Sequence, residues 1–292
     1  MSAGCGLDEK MSPSDHAGGC VAGELSRPLG DPIAAGRTAE VYAWEAGWVL
    51  KLFRLDWPQR AAEHEARVAR AVYALEAPAP AIGELVQING RPGLVCERIN
   101  GSSMADVILR KPWLLPHCAR LLANLHADMH AHRAEGLPLQ RERLEPKIRA
   151  AKALPSELRD RVLGVLQGLP DGNCLCHGDF WPGQVLMSPA GPVIVDWSDA
   201  TSGHPAGDVA RTSLIMLGGI RQSGLPVPLP FRFSMAWYHR IYLQHYKRLR
   251  AIGQQEIDAW WAVVAAARLS ENIRGLQGWL LGQVRLGLSR FE

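Results

Sequence analysis

Along the first third of the chain, apolar residues come in short β-rich pieces separated by small-residue breaks: Ile33 to Trp44, then Trp48 to Phe53, with Glu45-Ala46-Gly47 between them. This pattern predicts a strand, a loop and a hairpin. In Trp48-Val49-Leu50-Lys51-Leu52-Phe53 the alternation places Val49, Lys51 and Phe53 on one face and Leu50 and Leu52 on the other, so apolar neighbours flank a lysine. From Pro58 to Leu75 the period becomes helical, with Val68, Val72 and Leu75 on one stripe. Glu65 falls on that stripe, whereas Glu63 points about 160° away from it. Leu85 to Ile88, Asn89-Gly90 and Leu94 to Cys96 predict a second hairpin, because both turn residues tolerate positive φ.

After Glu97 the pattern is almost wholly helical. Leu121, Leu122, Leu125 and Met129 recur at helical spacing within residues 114–132, and the chain from Ser234 onward is helical, with Trp237, Trp260, Trp261 and Trp279 expected chiefly in the core. Leu137 to Leu169 is rich in Lys, Arg and Glu and punctuated by proline. One interruption is β-like: Gln184 to Met187 and Pro192 to Val195 flank Ser188-Pro189-Ala190-Gly191, two small strands around a tight turn. Asp179 precedes the first of these strands in a Gly/Pro-interrupted loop, and Asp196 stands where the second runs out. Like charges at neighbouring strand ends raise one another's pKa unless a cation lies between them. A hydroxyl proton for one and Mg²⁺ for the other meets that need. The change at Glu97 divides the chain into lobes at 33–98 and 99–292, after a tail at 1–32 rich in Gly, Ser, Pro, Asp and Ala with no apolar period.

Composition narrows the function classes. The 292 residues are 47% hydrophobic and 21% charged, and a net charge of +3 with no Lys/Arg run gives no footing for a nucleic-acid partner or a membrane surface. The most apolar windows, Ser213 to Ile220 and Ala259 to Ala267, fall well short of the roughly 20 residues a membrane span needs. With no basic-then-apolar start, the expected location is the cytoplasm. Six cysteines show no disulfide or zinc spacing, and Cys174 and Cys176 read as small hydrophobes on a strand entering the Asp179 loop. His126 and His130 share a helix face, but Ala127 stands where a metalloprotease has glutamate, so histidines engaged in packing or at a solvent edge are expected rather than a metal site.

His177-x-Asp179, an amide side chain at Gln184, and an apolar strand ending in Asp196 resemble the catalytic and metal loops of the aminoglycoside phosphotransferase family. The resemblance covers roughly residues 33–292. It implies an α+β, two-lobed protein-kinase-like fold: a small antiparallel β-sheet with one main helix, then a larger, mostly helical lobe. It implies transfer of the γ-phosphoryl group of ATP to a hydroxyl of a small molecule, an aminoglycoside-like acceptor or another amino alcohol or amino sugar. By the same resemblance Gly36-Arg37-Thr38 covers the nucleotide phosphates, Lys51 reaches them under the hold of Glu65, and the connector Glu97-Arg98-Ile99 meets the adenine. Asp179 then orients the hydroxyl and accepts its proton, His177 orients the loop, and Asp196 with Gln184 holds Mg²⁺. Asp208, within Gly203 to Arg211, resembles the aspartate that anchors the catalytic loop; it reads equally as a charge near a helix N-terminus.

The chain departs from the family pattern in several places. The phosphate turn carries a single glycine, Trp181 replaces a frequent histidine, and Gln184 replaces asparagine. Glutamine adds a methylene before its oxygen, and Mg²⁺ demands near-octahedral geometry, so weakened second-metal binding is expected. This keeps an alternative in view, a nucleotide-binding pseudokinase with weak or no transferase activity; the joint presence of Lys51, Glu65, Asp179 and Asp196 favours the enzyme. A polycationic acceptor asks for carboxylates. The C-terminal candidates Asp199, Glu256, Asp258, Glu271 and Glu292 are dispersed in sequence.

Overall fold

The computed structural model describes residues 28–219 and 229–291; residues 1–27 of the expected tail and Glu292 lie outside that range. Strands β1 (Ala34–Ala35), β2 (Ala39–Ala43) and β3 (Trp48–Phe53) are followed by helix α1 (Gln59–Ala74), then β4 (Ile82–Ile88) and β5 (Arg91–Glu97). They form one antiparallel five-stranded sheet in the order β1-β2-β3-β5-β4. Asn89 and Gly90 take φ of 51° and 72° at the β4–β5 turn, the left-handed pair that matches the twist of a two-residue hairpin.

The alternation in β3 decides what the sheet does. Leu50 and Leu52 pack with Val86, Ile88 and Val95 on one face. Phe53 packs with Ala62 and Ala66 of α1 on the other. Lys51 shares the Phe53 side and so looks toward α1, where Glu65 is buried among Ala62, Ala66 and Val68 while Glu63 stays outside.

Beyond Glu97 come β6 (Ser102–Ser103), α2 (Met104–Arg110), α3 (Leu115–Met129), α4 (Gln140–Ala150), α5 (Ser156–Gly168), β7 (Cys174–Cys176), β8 (Val185–Ser188), β9 (Gly191–Ile194), β10 (Thr201–Gly203), α6 (Pro205–Gly219), α7 (Leu229–Leu249), α8 (Gln254–Leu269) and α9 (Gln277–Leu288). β7 pairs with β10, and β8 pairs with both β6 and β9. The expected small hairpin is therefore present, with Val185 opposite Ile194 and Ser188 opposite Gly191. Cys174 and Cys176 lie on β7 as expected, and Cys176 is fully buried.

The Lys/Arg/Glu-rich stretch from Leu137 to Leu169 is two helices, α4 and α5. In α4 only Gln140 and Ile148 are buried, so the helix carries almost no apolar stripe to read. Its support is polar: Glu142 accepts from the Leu139 N–H at the first turn, and Lys147 and Arg149 sit in the last. At the centre of the helical lobe lies α8, whose run from Ala262 to Ala267 is wholly buried. Small residues let its neighbours come close; a Cβ on Gly287 of α9 would lie 2.6 Å from the Ala262 nitrogen. Trp260 is in this core, but Trp237 is 53% exposed. No helix among the described residues is long and apolar enough to cross a membrane.

Candidate active site

Three elements meet at Lys51, one of them from across 145 residues of chain. Its Nζ lies 2.5 Å from Oε1 of Glu65 on α1 and 3.0 Å from Oδ1 of Asp196, just past β9. Burial works against the ammonium, but Asp196 and Glu65 outweigh it and hold its pKa above the ordinary lysine value. Burial likewise pushes Asp196 up, and Lys51 more than reverses it, leaving the carboxyl below its usual range. Asp196 adopts φ of 63°, a region aspartate tolerates better than most residues. The Gln184 amide nitrogen lies 3.4 Å from Oδ2 of Asp196; turning the amide over puts its oxygen in the same place. The turn at Gly36 to Ala39 owes its shape to a cation rather than to a run of glycines. Arg54 donates to the carbonyls of Gly36 and Arg37, each at 2.9 Å. Arg37 reaches across the cleft to the Glu271 carbonyl at 3.4 Å. Glu97 ends β5 and accepts from the Ala81 N–H at 2.9 Å, and Ile99 follows, half-buried, in the connector.

The loop after β7 is held from below by one carboxylate. Asp208 of α6 accepts from the backbone N–H of His177 at 2.7 Å and of Gly178 at 2.8 Å, and from Nε2 of His126 and His130 at 3.1 and 3.3 Å. Since an ionised carboxylate only accepts, both histidines must carry their protons on Nε2, and their Nδ1 atoms accept from the hydroxyls of Tyr242 and Tyr246. That leaves the imidazoles no lone pair for a metal. Burial pushes Asp208 up, but its two histidines more than offset it and hold it well below its usual range. Asp208 thus has the anchoring place expected of it, and the histidines expected at a packing position are wholly interior. His177 is buried, bonded through Nε2 to the Val195 carbonyl and through Nδ1 to the Asp179 N–H, so it touches backbone and not the cleft. Gly178 has φ of 78°, and a Cβ there would meet the Asp199 carbonyl at 2.5 Å. Trp181, which replaces the frequent histidine, lays its indole across Gly183.

With this geometry in hand, the match of the phosphotransferase enzyme family to residues 30–252 is decisive. The chain belongs to that family. Its members are phosphotransferase enzymes. No curated protein matches the sequence. Among solved structures, a thermostable mutant of aminoglycoside phosphotransferase APH(4)-Ia is similar at 15% identity and a TM-score of 0.62, covering 90% of this chain and 95% of that one. The same enzyme in a ternary complex with ADP and hygromycin B matches at 14% identity and 0.62, covering 89% and 92%. Choline kinase from Cryptosporidium parvum Iowa II matches at 11% identity and 0.56, covering 89% and 88%. These likenesses establish the protein-kinase-like fold.

Of the carboxylates expected to serve an acceptor, the four within the described residues, Asp199, Glu256, Asp258 and Glu271, are all engaged. Asp199 lies 2.8 Å from both Arg143 and Lys147 of α4, and Glu271 lies 2.5 Å from Arg211 and 3.5 Å from Arg268. Asp258 pairs with Arg290, and Glu256 caps the Gly253 N–H. Arg211 also donates to Oδ1 of Asp179 at 3.0 Å and to the Gly178 carbonyl at 3.0 Å. These arginines had no place in the sequence reading. Two spacings carry the signal: Arg211 follows Asp208 by three residues and Lys147 follows Arg143 by four, each pair on one helical face.

Proposed function

We propose that the enzyme uses ATP and Mg²⁺ to phosphorylate a hydroxyl of a small molecule, with Asp179 receiving the hydroxyl proton. The observation that carries this reading is the meeting of Lys51, Glu65 and Asp196 from three elements at one end of the cleft that holds the Asp179 loop. In this reading residues 33–98 form the nucleotide lobe and 99–292 the catalytic and acceptor lobe. Lys51, kept protonated and aimed by Glu65, meets the phosphates; Gly36-Arg37-Thr38 lies over them, and the Glu97-to-Ile99 backbone meets the base. Phosphoryl transfer passes through a loose, in-line transition state, so positioning and charge neutralisation dominate. Arg211 and Arg268 both face Oδ1 of Asp179, which leaves Oδ2 for the acceptor hydroxyl. His177 and Asp208 are positioning residues that fix the loop.

The oxygen set at Asp196 and Gln184 suits a hard cation. Mg²⁺ held there supplies positive charge to the phosphate oxygens. The cytoplasm, where ATP is available, is the proposed location.

The test is Mg²⁺-dependent ATP consumption by the purified protein across aminoglycosides, amino sugars, choline, other hydroxylated amines and hydroxylated acids. Stimulation by one acceptor class should fall by about 10²-fold or more in Asp179→Ala. Nucleotide binding with no turnover on any acceptor would sink the transferase reading in favour of the pseudokinase.

A further inference from the structure

Four cations, Arg143, Lys147, Arg211 and Arg268, gather around three carboxylates, Asp179, Asp199 and Glu271, while Arg37 donates to the Glu271 backbone carbonyl. The Lys51, Glu65 and Asp196 cluster lies apart from this count. Arg143, Lys147, Arg211 and Asp199 line a shallow recess that starts at Gly178, the residue before Asp179. Arg268 is only 3% exposed, and Nε of both Arg143 and Arg268 is buried with no acceptor among the described residues. A buried guanidinium short of acceptors is costly, and the missing negative charge is what a bound carboxylate or phosphate brings, in a shape that matches the guanidinium fork. Burial first, and then the neighbouring Arg211, pull Arg268 down to about 10, whereas at Arg211 burial is outweighed by Glu271, Asp179 and Asp199, which hold it above its ordinary value.

We infer that the acceptor is an anion: a hydroxylated small molecule whose carboxylate or phosphate meets Arg143, Lys147 and Arg211, with the buried Arg268 behind them, while its hydroxyl meets Asp179. This rests on the transferase reading above. In the transfer, the acceptor oxygen bonds to the γ-phosphorus and the bond from that phosphorus to the β,γ-bridging oxygen breaks. ADP departs with that electron pair, and the hydroxyl proton passes to Asp179 and on to solvent. An acceptor that also carries an amine is compatible, provided it brings the anionic group.

The experiment compares hydroxylated carboxylates and phosphate monoesters with their uncharged and aminated counterparts on the same carbon frame; gluconate, glucitol phosphate, glucitol and glucamine form one such set. ADP release and calorimetric binding are both measured. Turnover is expected with anionic members, with acceptor KM rising about tenfold in Arg268→Gln and in the more exposed Lys147→Gln, and ATP KM moving less than about twofold. Turnover with neutral or aminated members alone overturns the anion inference and leaves the transferase standing. A rise in ATP KM rather than acceptor KM also overturns it, since the cations then serve the phosphate of the nucleotide. Saturable binding of anionic members without turnover upholds the site and removes the transferase reading. Neither binding nor turnover with any anionic member overturns the inference.

Discussion

Gln184 has its amide beside Asp196 but carries one methylene more than the asparagine the family favours there, and it enters from a short 3₁₀ turn over Pro182–Gln184. If its oxygen serves Mg²⁺, the longer arm costs rotamer entropy and geometry that a shorter amide would keep. Gln184→Asn is therefore expected to lower the Mg²⁺ concentration for half-maximal activity by about threefold, roughly 0.7 kcal/mol. A metal titration of both proteins checks this, and unchanged Mg²⁺ dependence and turnover would remove Gln184 from the metal site. Other residues were legible for local reasons. Lys51 and Glu65 follow from a two-residue and a 3.6-residue period, and each period says which way a side chain faces. The pairings of Arg143 and Lys147 with Asp199 and of Arg211 with Glu271 are not legible in that way, because they cross 52 to 60 residues of chain and join elements whose relative seat no local period encodes.

At the scale of elements, strands and hairpins were the readable part. Alternation and Asn89-Gly90 predicted the β3 faces and the β4–β5 turn, and both strands of the small hairpin stand within one or two residues of their expected bounds. Helix α4 escaped notice since a helix that turns Arg143 and Lys147 toward a site and buries little else lacks the apolar stripe by which helices are recognised. The seat of α9 on α8 is tighter than either sequence shows. A methyl group added at Gly287 has no room, with the Ala262 nitrogen at 2.6 Å and its Cβ at 2.8 Å, and backbone cannot yield as a flexible side chain can. Gly287→Ala should therefore destabilise the protein by about 1–3 kcal/mol despite the better helix propensity of alanine. A urea midpoint equal to or above that of the parent would contradict this packing.

For the whole molecule, the buried histidines tie stability to acidity. Burial and the neighbouring His126 hold His130 down to about 4, and burial lowers His239 similarly to about 4. Unfolded histidine takes its proton near pH 6.5, so between about 6.5 and 4 the unfolded chain binds more protons and stability falls as pH falls. At about pH 4 His130 alone accounts for a loss of about 3 kcal/mol. Asp208, held below its usual range, adds a further loss below about pH 4, in the same direction. Urea midpoints should drop steadily from about pH 7 to 4.5, less steeply in His130→Gln; a flat profile would mean that the histidines are not neutral when folded. The same histidines govern how the helical lobe goes together. Tyr238, Tyr242 and Tyr246 of α7 meet, in ascending order, the Cys118 carbonyl and His126 of α3 and His130 just past its end, so the two helices run in the same direction with a hydroxyl at every turn of α7. Sliding α7 by one turn would satisfy an apolar face as well as before, yet leave at least one of these buried hydroxyls without its partner, at about 1–3 kcal/mol. The polar ladder thus rejects a misregistered docking that greasy contact alone would accept, and it does so at the helix pair that carries the floor of the active site.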